Sequence, residues 1–340
     1  MRAFLALLRA RNIEFFRDRS ALAWSFLFPM LMIIGCAIAF SKPDPAVFRI
    51  GLHGDIAALQ KREWLRPDYL EKISFDHLET AQQRVQHHQI DLLISIEGTA
   101  SDGSRYWSNP ESKRSQALLQ LLGTPLATEF HAATLHGRPV RYVDWVMPGV
   151  LGMNMMFGAL FGVGYVIVRY RQNGVLKRLQ ATPVKPLEFI AAQLVSRLWI
   201  VAGVNLTIFI ACKFLLNLLV LGSLALMLLI FVAGALAMIS LGLLIASRTA
   251  SEEFAGGLLN LATWPMMFLS EVWFSLDNAP VWLQRAADLM PLTHVVKAAR
   301  AVMIEGAGFN DISGHLLVLL ITTVVCMAAA ARLFRWHTVK

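Results

Sequence analysis

The sequence predicts an α-helical integral membrane protein, with six transmembrane helices and an α/β extracytoplasmic domain between helices 1 and 2. Three observations carry this expectation. Of 340 residues, 56% are hydrophobic and only 16% charged, with a mean hydropathy of +0.54, whereas an ordinary soluble domain is about 25% charged. Apolar runs of about 20 residues recur along the chain, the length needed to cross a hydrocarbon core about 30 Å thick with every backbone polar group paired inside a helix. One polar interval, long enough for a small domain, separates the first run from the rest.

The six spans are expected at Ala21 to Phe40, Trp145 to Val168, Phe189 to Phe214, Asn217 to Ala246, Phe254 to Leu276 and His315 to Leu333. The fourth is long enough to tilt. Lys and Arg concentrate in short flanks on the cytoplasmic side of membrane proteins, so their placement gives the orientation. The N-terminal flank carries Arg2, Arg9, Arg11, Arg17 and Arg19, and the loop after the second span carries Arg169, Arg171, Lys177, Arg178 and Lys185. Six crossings put both on one side, together with Arg248, Arg332, Arg335 and Lys340. Both termini are therefore expected in the cytoplasm, in a multi-pass protein of the cell (inner) membrane. The net charge of +8 sits at the ends of apolar runs, which points to lipid headgroups and not to nucleic acid. Ile33-Ile34-Gly35-Cys36 resembles a lipoprotein cleavage box, but Ala37-Ile38-Ala39-Phe40 prolongs the apolar run, so a spanning helix is expected and not a cleaved signal. Cys36, Cys212 and Cys326 all fall in apolar runs without metal or redox spacing, and read as packing residues.

Three segments follow from this: 1–40, the cytoplasmic N-terminal flank and the first span; 41–144, the extracytoplasmic domain; and 145–340, the remaining five spans. Within 41–144, Val47 to His53, Ile90 to Gly98 and "SRYWSN" read as strands, while Ile56 to Leu65 and "LETAQQRVQHHQ" read as helices. "ESKRSQALLQLLGTPLATEF" reads as a helix broken near Pro125. His87 and His88 are adjacent and point in different directions on a helix, so no metal site is expected there. The interval holds no nucleophile, base and orienter grouping, and the expectation is a module for contact or gating.

No G-x-x-x-x-G-K-[ST] loop is present, so the chain is expected to lack an ATPase site of its own and to bind no cofactor or metal; "GAGFND" lacks the lysine. The apolar runs hold few ionisable groups, which disfavours an ion-coupled secondary transporter. Asn154, Asn205, Thr207 and Asn260 are intramembrane polar residues, open to interhelical hydrogen bonding or to lining a substrate path. Glu271, near the end of the fifth span, either snorkels to water between Trp264 and Trp273 or contributes to an outer gate. Ser251 followed by Glu252 and Glu253 reads as a capped helix start. Gly158 and Gly162 form a G-x-x-x-G spacing that permits close helix approach, a candidate dimer contact.

The loop after the second span, "RYRQNGVLKRLQATPVKP", combines an Asn173-Gly174 turn with a short amphipathic helix that stops before Pro183. Val175, Leu176 and Leu179 share a side and Lys177 and Arg178 face elsewhere, which suits either a membrane surface or a groove on a partner.

The pattern resembles the membrane subunits of type-2 ABC exporters. The residues that carry the likeness are Arg171, Gly174, Leu176, Leu179, Thr182 and Pro183 in this loop, Arg17, Asp18 and Pro29 before and in span one, and Pro148 and Gly149 at the start of span two. Pro265, Ser270, Pro280, Trp282, Pro291, Leu292, Thr293 and Arg300 resemble the family's outer re-entrant region, here near 276–300. The likeness covers essentially the whole chain, and its force lies in the order and spacing of the motifs. This sequence departs from it at Tyr170 and Gln172, where the family has acids, at Val175 for threonine, at Lys177 for an acid and at Glu271 for glycine.

The resemblance implies a permease working as a homodimer or beside a paralogous permease, with a coupling helix near 171–183 seated in a separate ABC ATP-binding subunit that supplies ATP and Mg. It also implies an N-terminal interfacial helix against membrane lipids, ending at Arg17 and Asp18, and leaves room for a periplasmic adaptor. Its apolar face, Phe4, Leu7, Leu8 and Phe15, is interrupted by Arg11, with Ile13 opposite. Asn154, Asn205, Asn260 and Glu271 are its candidates for substrate path or outer gate. The rival reading is a non-transporting membrane receptor or scaffold whose external domain binds a ligand.

Overall fold

The computed structural model describes residues 2–40, 48–56, 59, 62–67, 69–96, 104–137, 139–182, 186–249, 251–276 and 279–333. The chain divides into two compact units, Met1–Ile38 with Val143–Lys340, and Ala39–Tyr142. Helices α1 (Arg2–Arg17) and α2 (Arg19–Ala39) open the first unit and are separated by Asp18 alone. Asp18 Oδ1 accepts from the Ala21 amide at 2.9 Å, so the residue that leaves helical geometry caps the helix that follows.

The second unit is α/β. Its regular elements are β1 (Phe48–Gly54), β2 (Leu70–Phe75), α3 (Leu78–Gln86), β3 (Leu92–Ile96), β4 (Ser104–Ser108), α4 (Lys113–Glu129) and β5 (His131–Thr134). The sheet order is β2-β1-β3-β4-β5, with β3 and β4 antiparallel and the other pairs parallel. Ile50 pairs with Leu92 and Leu52 with Ile94, and these four bury one face against Leu118, Leu122 and Leu126 of α4. Leu93 and Trp107 bury the other face against Ala81 and Val85 of α3. A strand covered on both faces must be apolar throughout, which is why β3 reads as a continuous hydrophobic run.

Two expectations change here. The helix "ESKRSQALLQLLGTPLATEF" runs unbroken through Pro125 from Lys113 to Glu129, and β2 and β5, short and only partly apolar, add strands that the sequence pattern did not single out. Of the helix expected at Ile56 to Leu65, residues 57, 58, 60 and 61 lie outside those described, Ile56 and Leu59 are helical, and Glu63–Leu65 forms a 3-10 turn.

The first unit continues with α5 (Tyr142–Gln172), a short α6 (Val175–Gln180), α7 (Pro186–Leu216), α8 (Leu224–Ala246), α9 (Glu252–Leu269), α10 (Val281–Asp288), α11 (Pro291–Arg300), a π turn (Ala301–Glu305) and α12 (Phe309–Leu333). Among the described residues, α2, α5, α7, α8 and α12 are long and apolar enough to cross a membrane. The expected fifth span differs. Helix α9 has 18 residues, about 27 Å at 1.5 Å per residue, carries Glu252, Glu253 and Asn260, and ends at Leu269 and not at Leu276. Glu271 adopts a left-handed φ of 55°, which the helix cannot accommodate. The expected fourth span also starts later: residues 217–223 are non-helical, Asn217 has a φ of 47°, and Ser223 caps α8 by accepting from the Ala225 amide.

Ile94 is fully buried between the sheet and α4. Ile94→Ala is expected to destabilise the α/β unit by about 2–5 kcal/mol. Limited proteolysis of the full-length protein should then cut faster within residues 39–142, while Gln120→Ala, at an exposed position of α4, leaves the rate unchanged.

Candidate functional site

The connector between α5 and α7 is built from a helix stop and a helix start. The amides of Asn173 and Gly174 donate to the carbonyls of Arg169 and Arg171, at 3.0 and 3.3 Å, and close α5. Gly174 has a φ of +69°, the left-handed conformation that ends helices at low cost only in glycine. Helix α6 follows at once, its Arg178 amide donating to the Gly174 carbonyl at 3.1 Å. Leu176 is fully buried, whereas Lys177, Arg178 and Thr182 are exposed. Leu179 lies in α6 with its side chain outside the description, and Pro183 lies outside the described residues.

Arg171 is not on this exposed face. Its buried guanidinium donates through Nη1 to the carbonyls of Ala246, at 3.0 Å, and Thr249, and through Nη2 to that of Ser247, at 3.2 Å. These carbonyls close the C-terminus of α8, where the last oxygens of a helix lack internal partners and the dipole is negative. The same end of α5 reaches α9: Tyr165 donates to Glu252 Oε2 at 2.7 Å. In the orientation that satisfies both contacts, the Gln172 amide donates to Glu252 Oε1 at 3.2 Å and accepts from the Glu252 amide at 3.1 Å. Ser251 caps α9 by accepting from the Phe254 amide, with Glu252 and Glu253 in the first turn.

Helix α1 fastens the other flank. The Tyr170 hydroxyl donates to Glu14 Oε2, and Arg11 donates to Glu14 Oε2 at 2.7 Å and to the Gly162 carbonyl at 3.0 Å. Arg11 and Phe15 are the buried residues of this helix, while Ile13, Leu5 and Phe16 are exposed beside Arg9 and Arg17. Arg11, which interrupts the apolar stripe in the sequence, is therefore the residue that anchors the helix. Burial, the largest single influence, pushes the Glu14 carboxyl up, but the Tyr170 hydroxyl, Arg11 and Arg169 outweigh it and hold it below its ordinary 4.5.

At the far end of α5, Glu271 pairs with Arg300 at 3.3 Å and Lys297 at 3.9 Å, with Glu271 and Arg300 only 12% and 11% exposed. Arg300 also donates to the carbonyls of Glu271 and Trp145, at 2.9 and 3.3 Å, and stacks 3.9 Å from the Trp145 ring centre. Glu271 thus turns inward to a cation and not outward to water. Asn154 and Asn205 line one small cavity; Asn260 is exposed on α9, and Glu271 stands apart from both. The face of Gly158 and Gly162 is occupied within the chain by Arg197, which donates through Nε to the Gly158 carbonyl at 2.8 Å. Arg11, Glu14, Arg197 and Arg300 carry much of this polar architecture, and the sequence pattern did not mark their pairings. Among the described residues, no group of three or more His, Cys, Asp or Glu is placed to hold a metal ion.

The sequence model of the ABC-2 type transporter family matches residues 101–304. The chain belongs to this family. As a permease of the ABC-2 type it is a multi-pass membrane subunit of an ABC transporter, a class whose members imply an ATP-binding partner. It is 25% identical over 249 residues to "Probable multidrug ABC transporter permease YbhR" of Escherichia coli (strain K12), covering 72% of this chain and 67% of that protein. It is 27% identical over 170 residues to the inner membrane transport permease YhhJ of the same organism, covering 49% of this chain and 45% of YhhJ. With the daunorubicin resistance ABC transporter permease protein DrrB1 of Streptomyces coeruleorubidus it shares 31% identity over 87 residues, 25% of this chain and 31% of that one. The matched ABC-2 segment contains the connector, Arg171 with its α8 acceptors, and the Glu271 and Arg300 pair, whereas α1, α2 and α12 lie outside it.

Two outcomes follow from the anchors. Arg171→Met strips charged donors from the end of α8 and is expected to cost about 1.5–3 kcal/mol, read as a lower melting temperature of the detergent-solubilised protein, with Arg171→Lys only partly restoring it. Because the Glu14 carboxyl is held down in the fold, its stabilisation is full above 4.5 and lost as pH falls through the lower folded value. Glu14→Gln should flatten that acid limb in a melting series across pH 3 to 6, a range set by the ordinary carboxylate values of about 4.

Proposed function

We propose that this chain is the permease subunit of an ATP-driven exporter. It forms the translocation path as a homodimer or with a paralogous permease, and a separate ATP-binding subunit grips it at α6. That subunit binds ATP and Mg, for which this sequence has no phosphate loop. The observation that supports the reading most is the fastening of the connector: Arg171 to the end of α8, Gln172 and Tyr165 to the start of α9, and Tyr170 to α1. A push delivered to the exposed Lys177 and Arg178 face therefore reaches three helices without being lost in a flexible loop.

By the distribution of Lys and Arg, and with α9 making a sixth crossing beside the five longer helices, α6 and both termini face the cytoplasm, and the α/β unit and the α10–α11 segment face outward. The α/β unit would then be available to an extracytoplasmic adaptor. The printed names of YbhR and DrrB1 direct a cargo screen first to drug-like amphipaths.

The test is whether a neighbouring reading frame encodes a Walker-type ATPase, and then co-purification with that protein and reconstitution. Leu179→Ala with Pro183→Ala, and separately Lys177→Glu with Arg178→Glu, should lower stimulated ATPase turnover at least about tenfold, the effect of about 1.4 kcal/mol, while membrane insertion stays intact. Undiminished stimulation in well-assembled variants, or a cysteine at position 177 labelled only from outside the cell, would overturn the assignment. A purified chain that never retains an ATPase yet binds a ligand would make it a receptor or scaffold.

A further inference from the structure

Beyond the coupling face, the first unit contains a polar niche that joins Asn154 and Asn205, candidates for a substrate path, to Arg197, which the sequence did not mark. Arg197, on α7, lies against the glycine face of α5, where a Cβ on Gly162 would stand 1.7 Å from its Nη2. Its Nε donates to the Gly158 carbonyl, and the Phe15 ring lies 5.4 Å from its Cζ. Arg11 converges on the same glycine from α1. Two guanidinium groups therefore meet at Gly162, and Glu14, a carboxylate beside them, is held by Arg11 and Tyr170. Arg197 has no ion pair among the described residues.

A second observation points to the same place. Asn205 is 1% exposed; its Nδ2 donates to the Val201 carbonyl at 2.9 Å, but Oδ1 has no partner among the described residues. Arg197 and Asn205 line one cavity of about 20 Å³, with Asn154, Ser25 and Phe15, and its remaining wall is aliphatic: Ile200, Val201 and Val204. Among the described residues, Arg197 is a half-buried cation without an ion pair and Asn205 a fully buried acceptor without a donor, and together they describe the complement of a ligand.

The missing partner brings an anionic oxygen for Arg197 and a hydroxyl or amine hydrogen for Asn205. Arg197 lies 11 positions beyond Pro186, about 16 Å along α7 at 1.5 Å per residue, so the approach runs beside apolar helix surface and the ligand must carry an apolar body. We propose that Arg197, Asn205 and Asn154 form a binding site for the headgroup of an anionic amphipath, a phosphodiester or carboxylate that also carries a hydroxyl or amine. The cavity as it stands admits one water, so binding displaces a wall; Phe15, from the separate helix α1, is the wall that yields.

Binding is measured on the purified permease alone in neutral detergent, so the result does not depend on the coupling assignment. Tryptophan fluorescence is titrated with lysophosphatidylglycerol, with lysophosphatidylcholine, and with glycerol 3-phosphate, which has no tail. Lysophosphatidylglycerol should saturate at least tenfold more tightly than lysophosphatidylcholine, and glycerol 3-phosphate should fail at a hundredfold higher concentration. Arg197→Gln should weaken lysophosphatidylglycerol tenfold or more, Arg197→Lys should retain most of the affinity, and Asn205→Leu should lose several-fold while leaving the charge in place. Equal binding of the two lipids, full binding by glycerol 3-phosphate, or an undiminished Arg197→Gln or Asn205→Leu protein would overturn the site.

Discussion

The guanidinium of Arg171 set on the last carbonyls of α8 is the contact on which the organisation of this end of the membrane unit depends. Helix ends in or near lipid leave oxygens that water cannot readily serve, and a fixed planar cation serves several at once. Here the cation belongs to the residue that immediately precedes the connector turn. Satisfying one helix end therefore also fixes where α6 begins. Glu252 does the same for the start of α9, where it receives Tyr165 and Gln172 from the same turns of α5. Backbone satisfaction and mechanical connection are one arrangement.

This arrangement gives a physical sense to the departures from the family pattern. At the positions flanking Arg171 where acids are expected, the chain has Tyr170 and Gln172. Each is bonded to a carboxylate from another element, Tyr170 to Glu14 and Gln172 to Glu252. The carboxylates that stand beside the connector here belong to α1 and α9.

Length and hydropathy were enough to locate five helices long and apolar enough to cross a membrane and the buried strand β3, because crossing lipid and covering both faces of a strand leave strong signals. They overran the end of the fifth, since a helix of 18 residues followed by a left-handed Glu271 looks in sequence like a longer apolar run. The candidate site was legible as a segment and not as a set of contacts. Gly174 and Ser251 announce their roles by local geometry that the sequence encodes within a few residues. Arg171, Arg11 and Arg197 do not, because their acceptors include backbone carbonyls on other helices and a carbonyl has no residue type. Glu271 was visible as an anomaly, but its partner Arg300 is 29 positions away and only the fold brings them together.

The single residue between α1 and α2 has a further meaning. Asp18 is the whole hinge, and its amide still donates to the Glu14 and Phe15 carbonyls. With so few free torsions between them, α1 and α2 share a stiff elbow, so a displacement of α1 is carried into α2 and not absorbed by slack chain.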